Sequence, residues 1–143
     1  MGSRRNSRET ALQLLYLCDT CSLDPKDAIT ILSNKSSCEL DYFGRDLFEG
    51  TSANIESIDM LISSAADNWE MSRMATIDRN ILRLATFEIT NTVETPINVI
   101  INEAVEIAKT FSTADSSKFV NGILDKLKTS RPPQQAQAKN EGK

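Results

Sequence analysis

Three arginines near the start of the chain are the residues best suited to bind a phosphate. Arg4, Arg5 and Arg8 have spacings that place them on one face of the opening turns of a helix. The planar guanidinium group binds phosphate through two parallel hydrogen bonds and also stacks on bases, and a single RNA strand offers both groups. On composition alone, a solvated helix end with a few charges is the simpler interpretation, and contact with RNA is the alternative.

The basic residues are concentrated at the two ends of an otherwise acidic chain. The formal net charge is -4, yet the first ten residues carry three arginines against one glutamate. Residues 126–143 carry five basic residues, again against one glutamate. Because salt confines electrostatic fields to about 10 Å, a basic end can bind phosphates even on an acidic protein.

Catalytic and metal-binding arrangements are not supported by the residue types. The chain has no histidine, which excludes Ser-His-Asp and Cys-His catalysis, and it has no glycine-rich phosphate loop. Glu103 and Glu106 lie one helical turn apart, but carboxylate metal bundles pair a glutamate with a histidine at the third position, so a solvated helix surface is preferred. The sequence predicts no enzyme, no metal and no cofactor.

The cysteines and the apolar segments indicate a reduced, cytoplasmic protein. Cys18 and Cys21 form an isolated C-x-x-C pair with only Cys38 as a third thiol, which is too few ligands for zinc without histidine. Ordinary reduced cysteines are therefore expected. No apolar run approaches the roughly 20 residues that cross a bilayer, and no secretory signal follows the start.

Helical periodicity in every long segment predicts an all-α helical bundle of six to seven helices. The first helix starts at Ser3 or Ser7 and ends near Cys21, and its wide apolar face predicts deep packing. The second helix is predicted over 25–34, and the third from Ser37 towards Trp69 with a break or bend at Gly50-Thr51. The fourth is predicted to follow a Thr76 cap, the fifth to follow Thr95-Pro96, and the last to run from Thr113–Asp115 to Leu127. Residues 1–128 are expected to form one domain, and the polar residues 129–143 a disordered tail.

Four sequence blocks carry a resemblance to a known family. They are Arg8-Glu9-Thr10-Ala11-Leu12-Gln13-Leu14-Leu15-Tyr16, Ile77-Asp78-Arg79-Asn80-Ile81-Leu82-Arg83-Leu84-Ala85 with Glu88-Ile89, the run from Thr95-Pro96 to Lys109, and the run from Asp115 to Asp125. In this order and spacing they resemble the NusB family of transcription antitermination proteins. The resemblance implies an all-α fold of two packed helical subdomains.

The resemblance also implies partners. NusB proteins bind a boxA-type sequence in the leader of ribosomal RNA transcripts together with the small-subunit ribosomal protein NusE. The pair joins an RNA polymerase antitermination complex that promotes processive transcription of ribosomal RNA.

The resemblance further implies which residues make these contacts. The RNA-binding residues that it transfers to this chain are Arg4, Arg5, Arg8, Asp115, Lys118 and Phe119. Tyr16 and Asp78 are implied as contacts to the partner protein, although Tyr16 fits a core position equally well.

Two positions depart from the family pattern, and two others have a physical interpretation of their own. Asn6 stands where many members carry arginine, which implies weaker RNA affinity that depends more on NusE, and Ser112 stands where glycine is common. Asn102 and Glu103 adjoin an apolar helix face, which suggests that they connect helix ends by hydrogen bonds. Gly122 inside a helix indicates a close helix crossing or a surface that a ligand approaches.

Two alternatives remain open at this stage. The chain could be a NusB-like domain of the kind found at the front of some RNA cytosine methyltransferases, but its 143 residues leave no room for a catalytic domain. It could instead be a protein interaction module, including a homodimer, whose arginines bind no RNA.

Overall fold

The computed structural model describes residues 3–35, 40–67 and 70–132. Within these ranges all regular structure is helical, which confirms the all-α prediction. The seven α-helices of the described ranges are α1 (Ser3–Cys21), α2 (Pro25–Lys35), α3 (Tyr42–Ala53), α4 (Ile55–Ala65), α5 (Thr76–Asn91), α6 (Ile97–Phe111) and α7 (Ala114–Lys126), with short 3-10 helices at Met71–Arg73 and Leu127–Ser130. None of the helices in the described part of the chain is long and apolar enough to span a bilayer.

The helices form two packed groups, as the resemblance implied. In the first group α1 packs on α2 and α3, and in the second α5 packs on α4, α6 and α7, with α7 also contacting α6 and α4. Helix α5 joins the groups because it also contacts α1 and α3. Its central position explains why apolar and polar residues are buried around much of its circumference.

The helix boundaries correct several details of the sequence prediction. Helix α3 begins at Tyr42, after Leu40, because Asp41 caps it by accepting a hydrogen bond from the Gly44 N–H. Gly50 neither interrupts nor ends this helix, which runs to Ala53. A Cβ at Gly50 would lie 2.1 Å from Cζ of Phe87, so the glycine allows α3 to approach the ring on α5.

The two predicted threonine caps have different outcomes. Thr113 caps α7 by accepting a hydrogen bond from the Ser116 N–H, as expected. Thr76, in contrast, is the first residue of α5 and follows Ala75, so it does not cap that helix. Trp69 and Cys38 lie outside the described residues.

Packed structure extends beyond residue 128. The guanidinium group of Arg131 donates hydrogen bonds to main-chain carbonyls at the end of α5 and in the turn that follows it, namely those of Glu88, Ile89, Thr92, Val93 and Thr95. An α-helix leaves its last carbonyls without partners inside the helix, so Arg131 completes the end of α5 from a distant part of the chain. Residues 133–143 of the predicted polar tail lie outside the described residues.

Candidate nucleic-acid interface

The three N-terminal arginines of α1 have different environments. Arg8 is only 4% exposed, and its Nε and Nη2 donate to the two carboxylate oxygens of Glu88 at 2.7 Å each. This paired geometry connects α1 to α5 with both charges removed from water. Arg8 was expected to contact RNA with Arg4 and Arg5, but the structure places its guanidinium group in the interior, bound to Glu88, and not on the surface that Arg4 and Arg5 share.

Arg5 lies at the surface but is also paired. Its Nε and Nη2 donate to the carboxylate of Glu103 in α6 at 2.8 Å each, while 42% of the Arg5 side chain stays exposed. The hydrogen bond from Arg5 lowers the pKa of Glu103, with burial acting in the opposite direction. Glu103 therefore connects the start of α1 to the middle of α6 and not to a helix end, and it fixes the position of a guanidinium group that remains accessible to solvent. Asn102, predicted to act with Glu103, is exposed.

Arg4 is the arginine of this group without an acidic partner. Its side chain is exposed, and none of the ion pairs within the described residues includes it. Its guanidinium carbon lies 4.0 Å from the centroid of the Phe43 ring, a cation–π contact that holds the charge at the junction of α1 and α3. The N-terminal surface is thus formed by Arg4 and Arg5.

The first turn of α7 carries the other predicted RNA contacts. Asp115 and Lys118 are exposed, and Phe119 is half-buried against the core. Gly122 lies one turn further on the same helix, where an added Cβ would meet nothing within 4 Å. Gly122 is therefore not at a close helix crossing, and the other explanation, a surface that a ligand approaches, stays a prediction.

Asp78, a predicted contact to a partner protein, lies directly beside this turn. Its Oδ2 accepts a hydrogen bond of 2.8 Å from the Ser116 hydroxyl group, and its Oδ1 is buried without a hydrogen-bond partner among the described residues. A cleft of about 340 Å³ is lined by Met74, Ala75, Asp78, Asp115, Ser116 and Phe119. Only 6% of Asp78 is exposed, so the cleft is the side from which a partner would reach this carboxylate.

Tyr16 and Ser112 resolve two open points. Tyr16 is 41% exposed, so it lies at the surface and not in the core. Ser112 has φ of -134°, outside the left-handed region that favours glycine. The left-handed conformation is therefore not the reason for a glycine at this position in other members of the family.

The D-R-x-I-L-R block forms a polar cluster that the sequence did not predict. Arg79, Asn80 and Arg83 all donate hydrogen bonds to Oδ2 of Asp19 in α1, and Arg83 also binds both carboxylate oxygens of Asp59 in α4. Burial would raise the pKa of Asp19, but the hydrogen bonds from Arg79 and Asn80 and the nearby guanidinium charges lower it overall. These two arginines stabilise the packing of α5.

The thiols and carboxylates of residues 3–35, 40–67 and 70–132 form no metal-binding group. Among the residues that the structure describes, no three potential ligand side chains are grouped closely enough to hold a metal ion. Cys18 and Cys21 are both free thiols. Burial raises the pKa of Cys18, with the carboxylates of Asp24 and Asp19 adding to the effect, so this thiol is less reactive than an ordinary one at neutral pH.

The fold and the surface together define an all-helical protein of two packed subdomains with exposed arginines at the start of its first helix. The NusB family model matches residues 5–129, and the chain therefore belongs to the NusB family.

Relatives match nearly the whole chain. It is 44% identical to the transcription antitermination protein NusB of Geotalea daltonii, covering 92% of this chain and 98% of that protein. It is 41% identical to the protein of the same name from Myxococcus xanthus, covering 89% and 95%.

Solved structures share the fold. The structure of T. maritima NusB is similar with a TM-score of 0.80 and 35% identity, over 92% of this chain and 94% of that one. A chain of the crystal structure of antitermination factors NusB and NusE in complex with dsRNA has a TM-score of 0.75 at 24% identity, over 91% and 98%. At that identity the likeness shows the fold alone.

Proposed function

We propose that this chain is a transcription antitermination factor that binds boxA-type leader RNA of ribosomal RNA transcripts together with ribosomal protein NusE. The observation that carries the proposal is membership of the NusB family over residues 5–129, with relatives named transcription antitermination protein at 41–44% identity. The chain acts in the cytoplasm as part of an RNA polymerase antitermination complex. It is a binding protein and not an enzyme, in agreement with its lack of histidine.

Arg4 and Arg5 are the arginines proposed to contact RNA. Arg4 has an exposed guanidinium group that makes no ion pair with the described residues, whereas Arg5 is already paired with Glu103 and has only part of its donors available. Lys118 and Asp115 add an exposed charge of each sign at the start of α7, and Phe119 provides an aromatic edge. Tyr16, on the surface of α1, and Asp78, in the wall of the cleft, are proposed to contact NusE.

The proposal is tested by titrating a boxA-type RNA into the protein, with and without NusE, at several salt concentrations. For a single strand, the logarithm of the affinity should fall with the logarithm of salt by about 0.7 per phosphate contact. Arg4→Ala and Arg5→Ala should weaken binding and reduce this slope. Absence of binding in both conditions would refute RNA recognition and favour a protein interaction module, for which the oligomeric state should then be measured.

Lys26→Ala is the matched control for the loss of one positive charge. Lys26 is exposed near the start of α2, beyond the opposite end of α1 from Arg4. At 1.5 Å per residue, the length of α1 separates the two positions by about 25 Å, more than two screening lengths in physiological salt. If Lys26→Ala weakens binding as much as Arg4→Ala does, the effect is one of net charge, and the assignment of the N-terminal surface is wrong.

A further inference from the structure

Tyr42 has an unusually exposed aromatic side chain. It is 88% exposed, about twice as much as Tyr16 at 41% or Phe111 at 39%. A ring this exposed contributes little buried area to the fold, and tyrosine, which has an apolar ring and a polar hydroxyl group, is enriched at binding interfaces. The sequence and the family resemblance assigned no role to this residue.

Contacts on either side of Tyr42 fix its backbone at the junction of α1 and α3. Asp41 accepts hydrogen bonds from the Ser7 hydroxyl group at 2.6 Å and from the Gly44 N–H at 2.8 Å, so the start of α3 is attached to α1. Phe43 holds the guanidinium group of Arg4 over its ring at 4.0 Å. Tyr42 lies between these two anchored residues, and its backbone therefore has little freedom to move away from Arg4.

The charges around Tyr42 include one guanidinium group that is available to an anion. Asp41 accepts hydrogen bonds on both of its carboxylate oxygens, and the nearby charge of Arg4 contributes to lowering its pKa. Arg4 makes no ion pair with the described residues, and on the next turn of α3 the exposed Arg45 and Asp46 offset each other. Tyr42 directly precedes the phenylalanine that holds this exposed guanidinium group. An aromatic ring and an arginine at one junction fit a nucleotide, since the ring can stack on the base and the arginine can bind the phosphate.

We propose that Tyr42 is a stacking platform for an unpaired base of the RNA whose backbone Arg4 contacts. This inference rests on the proposed RNA-binding function and adds a residue to its N-terminal surface. Stacking tolerates any base because each has an aromatic face. Tyr42 therefore contributes affinity and places one unpaired nucleotide at the junction of α1 and α3, and it does not select a sequence.

Substitution of Tyr42 separates stacking from charge. In titrations with boxA-type RNA, Tyr42→Ala should weaken binding about 5- to 100-fold, the range that stacking of one base contributes. Tyr42→Phe and Tyr42→Trp should stay within about 3-fold of the unmodified protein, because both keep an aromatic face. The salt dependence of Tyr42→Ala should be unchanged, whereas that of Arg4→Ala should be reduced. In Tyr42→Trp, RNA should also quench tryptophan fluorescence more than in the unmodified protein.

Met60→Ala is the control for loss of an exposed apolar side chain, since Met60 is 74% exposed on α4, and it should leave RNA affinity unchanged. If the unmodified protein binds RNA but Tyr42→Ala binds equally well, the stacking inference is wrong and the proposed function stands. If Tyr42→Ala instead weakens only the binding of NusE, the surface is a protein contact, which also overturns the inference. If the unmodified protein does not bind RNA at all, the proposed function itself fails.

Discussion

The buried ion pair between Arg8 and Glu88 allows a quantitative test of how α1 is attached to α5. The side chains are 5% and 2% exposed, and the two hydrogen bonds between them measure 2.7 Å. Glu88→Ala would leave the guanidinium group of Arg8 in the interior with one remaining acidic neighbour, Glu103, whose nearest oxygen lies 4.0 Å from Nη1. That distance is too long to replace the lost hydrogen bonds.

The expected loss is about 3–5 kcal/mol in the free energy of unfolding, because removal of one partner leaves an uncompensated buried charge. For a domain near this size, each kcal/mol lowers the melting temperature by roughly 2–4 °C, so Glu88→Ala should melt about 10 °C lower. The double variant Arg8→Met with Glu88→Leu removes both charges while keeping apolar volume. It should recover most of the stability, since such replacements are often neutral or stabilising.

Urea unfolding followed by circular dichroism measures both effects. Glu49→Ala is the control, because Glu49 and Arg45 form an exposed pair at 3.5 Å that should contribute less than about 0.5 kcal/mol. A loss below about 1 kcal/mol for Glu88→Ala would refute the argument from burial. The double variant should also bind boxA-type RNA as the unmodified protein does, and a large loss of RNA affinity in a stable double variant would restore Arg8 as an RNA contact.

Four further substitutions test local features of the fold. Gly122→Ala should stabilise the protein by up to about 1 kcal/mol in thermal unfolding, because Gly122 lies in mid-helix with open space around it. Gly50→Ala should instead destabilise the protein by more than about 1 kcal/mol, because the added methyl group would overlap the ring of Phe87. Arg131→Ala should cost about 1–3 kcal/mol, because it leaves main-chain carbonyls at the end of α5 without their donor, and hydrogen exchange should increase there. Glu103 and Asp19 have lowered pKa values in the folded protein. In acid the unfolded chain therefore binds more protons than the folded protein does. For Glu103, the stability that the carboxylate contributes is lost as the pH falls below 4.5, its ordinary pKa. Acid titration of Glu103→Gln should therefore show a smaller loss of stability below that pH, and an unchanged profile would contradict the assignment.

The helices could be predicted from the sequence because apolar periodicity is local. The starts of α2 and α7 followed from Pro25 and Thr113, which act within one turn of the chain. The partners of the arginines could not be predicted in this way, since Arg8 binds a residue 80 positions away and Arg5 one 98 positions away. No local sequence pattern predicts which of three neighbouring arginines is buried, because burial of an arginine depends on where α5 and α6 pack against α1.

The buried and the exposed arginines differ in what they say about the family resemblance. Arg8, Arg79 and Arg83 lie in the matched blocks, and each is ion-paired within the protein. Arg4 and Tyr42 lie outside those blocks and are exposed. A family match at Arg8, Arg79 and Arg83 therefore indicates that α1 packs against α5. The same packing holds the exposed residues Arg4 and Tyr42 in place, and this is how the match bears on function. Substitutions of the block arginines should then lower stability first, whereas Arg4→Ala and Tyr42→Ala should lower RNA affinity at unchanged melting temperature.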